Sequence, residues 1–233
     1  VPANNIMDEL KEIGIQSDRL TLWQRGIDLR LFNPEKADQA YIRNITQNDK
    51  PNILFASRLV WEKNVQTLID IYQQLKQSKF EYNLIIAGDG AAREEAEMLM
   101  PTAHFLGKLD HTELSKLYAS SDVFLFTSTS ETYGNVVIEA MASGLPCVIA
   151  NGGGSSSLID HGRNGYKCVP NNALEYVYFI HRILSDSVVK NEFQQAGLNY
   201  VRKLDWGKLA QTYFDDIHEL ASEPVNSIAW AGN

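Results

Sequence analysis

Two cysteines in 233 residues, Cys147 and Cys168, each inside an apolar run, are too few for a disulfide scaffold. They read as buried, inert thiols in a reducing compartment. Long apolar runs are also missing: none approaches the roughly 18 to 20 residues that cross a bilayer. The first residues lack the basic, apolar, small-residue order of a secretion signal and do not include an initiator Met. We therefore expect a cytoplasmic chain cut from a longer protein, with peripheral membrane association left open for the full-length form. Basic charge is scarce. A formal net charge of -8 with no basic stripe excludes nucleic acid as the expected partner. No D-x-D string occurs, and His104, His111, His161, His181 and His218 are scattered, so no metal site is expected.

What is present is an ordinary globular balance, 44% hydrophobic and 21% charged. From Pro51 onward short apolar runs alternate with helical stripes. Asn52–Ser57, Tyr82–Ala87, His104–Leu106, Val123–Phe126, Pro146–Ala150 and Gly165–Val169 read as strands. Helices are expected at Val65–Leu75, Ala91–Met100, Leu114–Tyr118 and Asn135–Ser143, then near 172–185, 187–203 and 206–221. This rhythm implies an α/β fold with a Rossmann-like parallel sheet and helices on both faces. Before Pro51 the signal is weaker. Ile6, Leu10 and Ile13 have helical spacing, Asp18–Trp23 reads as a short strand, and 35–50 reads as a mobile polar helix or linker.

Parallel sheets bind ligands beyond the carboxyl ends of their strands. Chemistry-bearing residues cluster there. After the fourth strand a Ser/Thr-rich loop leads to Glu131 and then to a helix opening near Gly134. A helix start presents free amides and a positive dipole end, which suits phosphate, and Gly134 admits close approach to Asn135 and Val136. Glu139 lies further along that helix, at a reach suited to a ribose. Arg58 follows the first strand directly and Lys63 comes five residues later; both suit a diphosphate. Two glutamates at this spacing are equally consistent with a helix start and a solvated helix face.

The strings as a set resemble family 4 glycosyltransferases, also called group 1. Glu131 to Glu139, followed by Ala140-Met141-Ala142-Ser143-Gly144-Leu145-Pro146, is similar to that family's E-x7-E signature. Ser57-Arg58-Leu59 with Lys63 is similar to its G-R-L-x-x-x-K, with Ser in place of Gly. Gly88-Asp89-Gly90 and Phe105-Leu106-Gly107 match two further strings. Gly26-Ile27-Asp28 with Phe32 resembles the interdomain linker, and Trp23-Gln24-Arg25 a W-x-R form that precedes it in some members. Ser157 departs from the pattern, standing where the family has Glu.

The resemblance implies a fold, a reaction and roles. Residues 1–50 would be the end of an N-terminal domain and the linker, 51–221 the donor-binding domain of a GT-B enzyme, and 222–233 a tail. The reaction would be retaining transfer of a hexosyl group from a UDP-sugar or GDP-sugar, with no cofactor, to a glycan or lipid acceptor held by the missing N-terminal domain. Glu131, Arg58 and Lys63 would be catalytic. Gly134, Asn135 and Val136 would present backbone amides, Glu139 would hold the ribose, and Lys108, Leu109 and Gly88 would edge the nucleotide. Other readings stand beside this one. A dinucleotide-dependent oxidoreductase fails because Gly88-Asp89-Gly90-Ala91-Ala92-Arg93 lacks the third glycine and follows the second strand. A glycosidase using Glu131 and Glu139 would leave Arg58 and Lys63 unexplained. A non-catalytic nucleotide-binding module remains as the alternative.

Overall fold

A computed structural model describes residues 1–222 of the chain. Six strands, β1 (Asn52–Ala56), β2 (Asn83–Ala87), β3 (His104–Gly107), β4 (Val123–Phe126), β5 (Cys147–Ala150) and β6 (Gly165–Cys168), form one sheet. Its order is β3-β2-β1-β4-β5-β6, and every adjacent pair runs parallel. The α/β, Rossmann-like architecture expected from the sequence is therefore what the chain adopts. Strand order reverses between β1 and β4. The loops leaving those two strands flank the crevice in which such sheets take their ligands.

Among the described residues nine α-helices accompany the strands: α1 (Asn4–Glu12), α2 (Gln39–Thr46), α3 (Val65–Gln77), α4 (Arg93–Leu99), α5 (His111–Ala119), α6 (Asn135–Ala142), α7 (Ala173–Ser185), α8 (Ser187–Val201) and α9 (Trp206–Ser222). The strands are apolar at nearly every position because both faces are covered. Their side chains divide by period two. Leu54, Ile85, Phe124, Phe126, Cys147 and Ile149 enter the core that holds Tyr118, Val137, Ile138 and Met141. Ile53, Phe55, Leu84, Ile86, Val123, Leu125 and Val148 enter the opposite core with Leu68, Tyr72, Tyr176 and Ile180. Both cysteines are buried and unpaired, and burial raises both thiols far above their ordinary range.

The first 50 residues depart most from the sequence reading. Asp18–Trp23 forms no strand. A 3-10 turn occupies Ser17–Arg19, closed by the Leu20 amide donating to Ser17 O at 3.2 Å; beyond it the Trp23 amide donates to Val1 O at 2.7 Å and the Val1 amino group to Thr21 O at 2.7 Å. A strand needs a ladder partner, and no sheet edge lies beside this stretch. Over 35–50 the chain takes the helix of the two forms offered, packed and not loose. Asp38 caps α2 by accepting from the Tyr41 amide at 2.9 Å, and Ile42 and Thr46 are buried. Ile27 and Phe32 insert into the core under α5 and α6, and the Ile27 amide donates to Leu204 O at 3.0 Å beside the start of α9. At the other end, Ser222 closes α9, so the tail expected over 222–233 lies outside the described residues after that point.

Candidate functional site: two cavities at the strand-order reversal

β1 ends at Ala56, and its loop turns back over the sheet edge. Gly88, just after β2, has φ +141°, and a Cβ there would land on the Ser57 carbonyl oxygen. The Ser57 amide donates to Ala87 O at 3.1 Å and the Leu59 amide to Asp89 O at 2.9 Å. The Gly-Asp-Gly turn thus locks the loop that carries Arg58. A 3-10 turn at Trp61–Lys63 follows, and Asn64 takes a left-handed φ of 55° before α3. The Asn64 amide side chain donates to Thr127 O at 3.1 Å, while Thr127 Oγ1 donates to the Lys63 and Asn64 carbonyls at 3.1 Å. These bonds staple the β1 loop to the β4 loop and aim Lys63 across the crevice.

Lys63 Nζ lies 2.8 Å from Glu131 Oε1 and donates to Ser130 Oγ at 3.2 Å. The side chains are 9% and 24% exposed, so the pair is drawn largely out of water. Arg58 differs: its guanidinium reaches Glu62 at 3.1 Å with 68% of the side chain exposed, a pair that adds little to stability. Gly134 opens α6 at φ +96°, where a Cβ would meet Ser155 Cβ at 2.6 Å. The close approach that the sequence reading reserved for a ligand at Gly134 is made by the Ser155 turn. No side chain caps α6; the Val137 amide donates to Gly134 O at 3.0 Å, which leaves the Asn135 and Val136 amides, on residues that line the cavity, without an intrahelical partner.

Arg58, Lys63, Glu131, Gly134, Asn135 and Val136 line one cavity of about 260 Å³, together with Ser57, Thr132, Tyr133 and Arg25. Glu139 lines a second cavity of about 470 Å³ with His111, Ile138, Phe32, Trp23 and Trp206. Tyr118, fully buried, donates its hydroxyl to Glu139 Oε2 at 3.3 Å. Burial raises the Glu139 carboxyl above its ordinary value, while the Tyr118 bond and nearby His111 pull it down. The two cavities share Arg25 and Asn135.

Three residues expected at the site line neither cavity. Lys108 is exposed, Leu109 packs against the core, and the Gly88 amide donates to Gly107 O at 2.7 Å. Gly88 serves the loop backbone; its spacing in the sequence does not separate that use from ligand contact. The Ser157 hydroxyl donates to Gly154 O at 2.7 Å within its own turn. Sequence reasoning missed Asn64, Tyr118 and His111, which act through partners distant in the chain. Arg25 was visible only as part of the W-x-R string.

The family model described as glycosyl transferases group 1 matches residues 38–200. The sulfoquinovosyl transferase SQD2 of Arabidopsis thaliana is 33% identical over 215 residues, covering 88% of this chain and 41% of that protein. A GDP-mannose-dependent alpha-mannosyltransferase of Mycobacterium tuberculosis is 36% identical over 164 residues, covering 70% and 42%. The chain thus spans about two fifths of the length of these relatives. Among solved structures, Anabaena Alr3699/HepE in complex with UDP and glucose superposes with TM-score 0.79 at 22% identity, over 96% of this chain and 62% of that one, a likeness of fold. With the model spanning well over half the sequence, this chain belongs to the group 1 glycosyltransferase family.

Proposed function

We propose that this chain is the donor-binding half of a retaining glycosyltransferase that takes a UDP-sugar or GDP-sugar. The observation that carries the reading is the convergence of Arg58, Lys63, Glu131 and the uncapped start of α6 on one cavity at the strand-order reversal. Cations and free amides on one wall suit a diphosphate. Glu131, held by Lys63, offers a carboxylate to the hydroxyls of the transferred sugar beside it. Glu139 in the adjoining cavity offers the same to a ribose. The two glutamates line separate cavities, an arrangement that suits two sugars of one donor better than a single cleaved bond. The relatives support the donor class: one is named for GDP-mannose, and HepE is solved with UDP and glucose.

In this reading the bond from the sugar C1 to the diphosphate oxygen breaks, and a bond from C1 to an acceptor hydroxyl oxygen forms on the same face. The hydroxyl proton passes to the leaving phosphate oxygen. Arg58, Lys63 and the α6 amides stabilise the charge that develops there, in place of a protein-bound divalent ion. The acceptor, a glycan or lipid, would be held by a further N-terminal domain. No helix among the described residues is long and apolar enough to cross a membrane. Calorimetry with UDP, GDP, their sugars and NAD, each with and without chelator, tests the proposal. Micromolar binding of one nucleoside diphosphate, unchanged by chelator, is expected; tight NAD binding with no diphosphate binding would overturn it.

A further inference from the structure

Arg25 is exposed, lies on the segment before α2, and lines both cavities. Its backbone is fixed: the Tyr133 hydroxyl donates to Arg25 O at 3.1 Å, and Tyr133 directly precedes the Gly134 that opens α6. Burial pushes the Tyr133 phenol up to about 12, so it remains a donor across the neutral range. On the next residue, Gly26, a Cβ would meet the Trp206 ring at 2.6 Å, which pins the segment on its other side. The Arg25 main chain therefore holds a set position at the junction of the two cavities, which Asn135 also lines.

The charge balance gives that position a consequence. In the smaller cavity Lys63 is paired with Glu131, and Arg58 with Glu62, which lies outside the lining. Two carboxylates offset two cations, so these four residues bring no net positive charge to a diphosphate. Arg25 enters no ion pair among the described residues, so its charge is the one in the lining that no carboxylate offsets. Resting on the donor reading above, with the nucleoside beside Glu139 and the diphosphate beside Lys63, we propose that Arg25 binds the α-phosphate, the one group that must cross between the two cavities. Guanidinium suits this task because its fork meets two phosphate oxygens together. Lys63 then serves the β-phosphate and Arg25 the phosphate attached to the ribose.

Calorimetry on the full chain, using UMP and UDP or GMP and GDP according to which base binds, reads the assignment. Arg25→Gln is expected to weaken mono- and diphosphate by the same factor, about tenfold, as for loss of one charge-assisted contact. Arg25→Lys is expected to recover part of it, and the melting temperature of Arg25→Gln to match the parent. Lys63→Ala is expected to weaken the diphosphate more than the monophosphate. If Arg25→Gln weakens only the diphosphate, or leaves both affinities unchanged while Lys63→Ala still lowers diphosphate affinity, the α-phosphate assignment fails and the donor reading stands. If neither variant changes either affinity, both fail.

Discussion

The two cavities meet at Asn135 and Arg25 but are built on different physics. The smaller is ionic. Its walls are loops leaving β1 and β4, stapled by Asn64 and Thr127, and its central Lys63–Glu131 pair sits largely out of water. The larger is mainly apolar, walled by Trp23, Ile27, Phe32, Ile138 and Trp206; of its two carboxylates, Asp28 and Glu139, the latter has a tyrosine and a histidine as neighbours and no paired cation among the described residues. In the proposed donor reading the first environment takes the diphosphate and the second the nucleoside. One nine-residue stretch, Glu131 to Glu139, spans both environments: the loop end meets cations and the helix end meets an apolar wall.

The largest expected effect breaks the ionic side. Lys63→Ala removes the cation proposed to meet phosphate and leaves Glu131 unpaired in a partly dry site, so diphosphate affinity should fall by about 2–4 kcal/mol, measured by calorimetry. Discounting for Glu131's exposure places the result nearer the lower figure; an unchanged affinity would remove Lys63 from the site. Gly134→Ala tests the junction. A left-handed φ and the Ser155 contact together should cost about 2–3 kcal/mol of folding stability in urea melts. A cost under about 0.5 kcal/mol would mean that the Ser155 turn yields freely.

Smaller effects sharpen the apolar side. Tyr118→Phe removes the hydroxyl that holds Glu139 and should cost about 1 kcal/mol of stability. The Glu139 carboxyl, having lost that bond, should titrate higher still in a carboxylate-resolved NMR titration. Glu139→Gln gives the subtlest signal, in pH dependence. A carboxyl that titrates higher folded than unfolded destabilises the fold as it ionises. Its share of stability is thus full below the ordinary value of 4.5 and declines as pH rises through the folded value. Glu139→Gln should flatten that decline in melts taken across the acidic range; an unaltered slope would show that Glu139 is not its source.

Where the sheet lies was legible because parallel strands buried on both faces are written as short apolar runs. Leu54 and Phe124 announce themselves without help from distant residues. The β4–α6 corner was legible too, since Glu131, Gly134 and Glu139 are close in sequence and the turn is local. The segment before Pro51 was not. Asp18–Trp23 has strand-like composition but no ladder partner, and Ile42 and Phe32 are ordinary apolar residues until a core is there to receive them.

The sequence by itself determined the alternation of strands and helices, the placing of Arg58, Lys63 and Glu131 at strand ends, and the family strings, because each depends on nearest neighbours along the chain. Tertiary structure alone decided three further points: that Lys63 is paired with Glu131, that Gly88 and Gly134 make way for Ser57 and Ser155, and that Arg25 reaches both cavities. These are contacts between residues 20 to more than 100 positions apart. Their partners are chosen by how the sheet closes the chain on itself, and no local pattern encodes that choice.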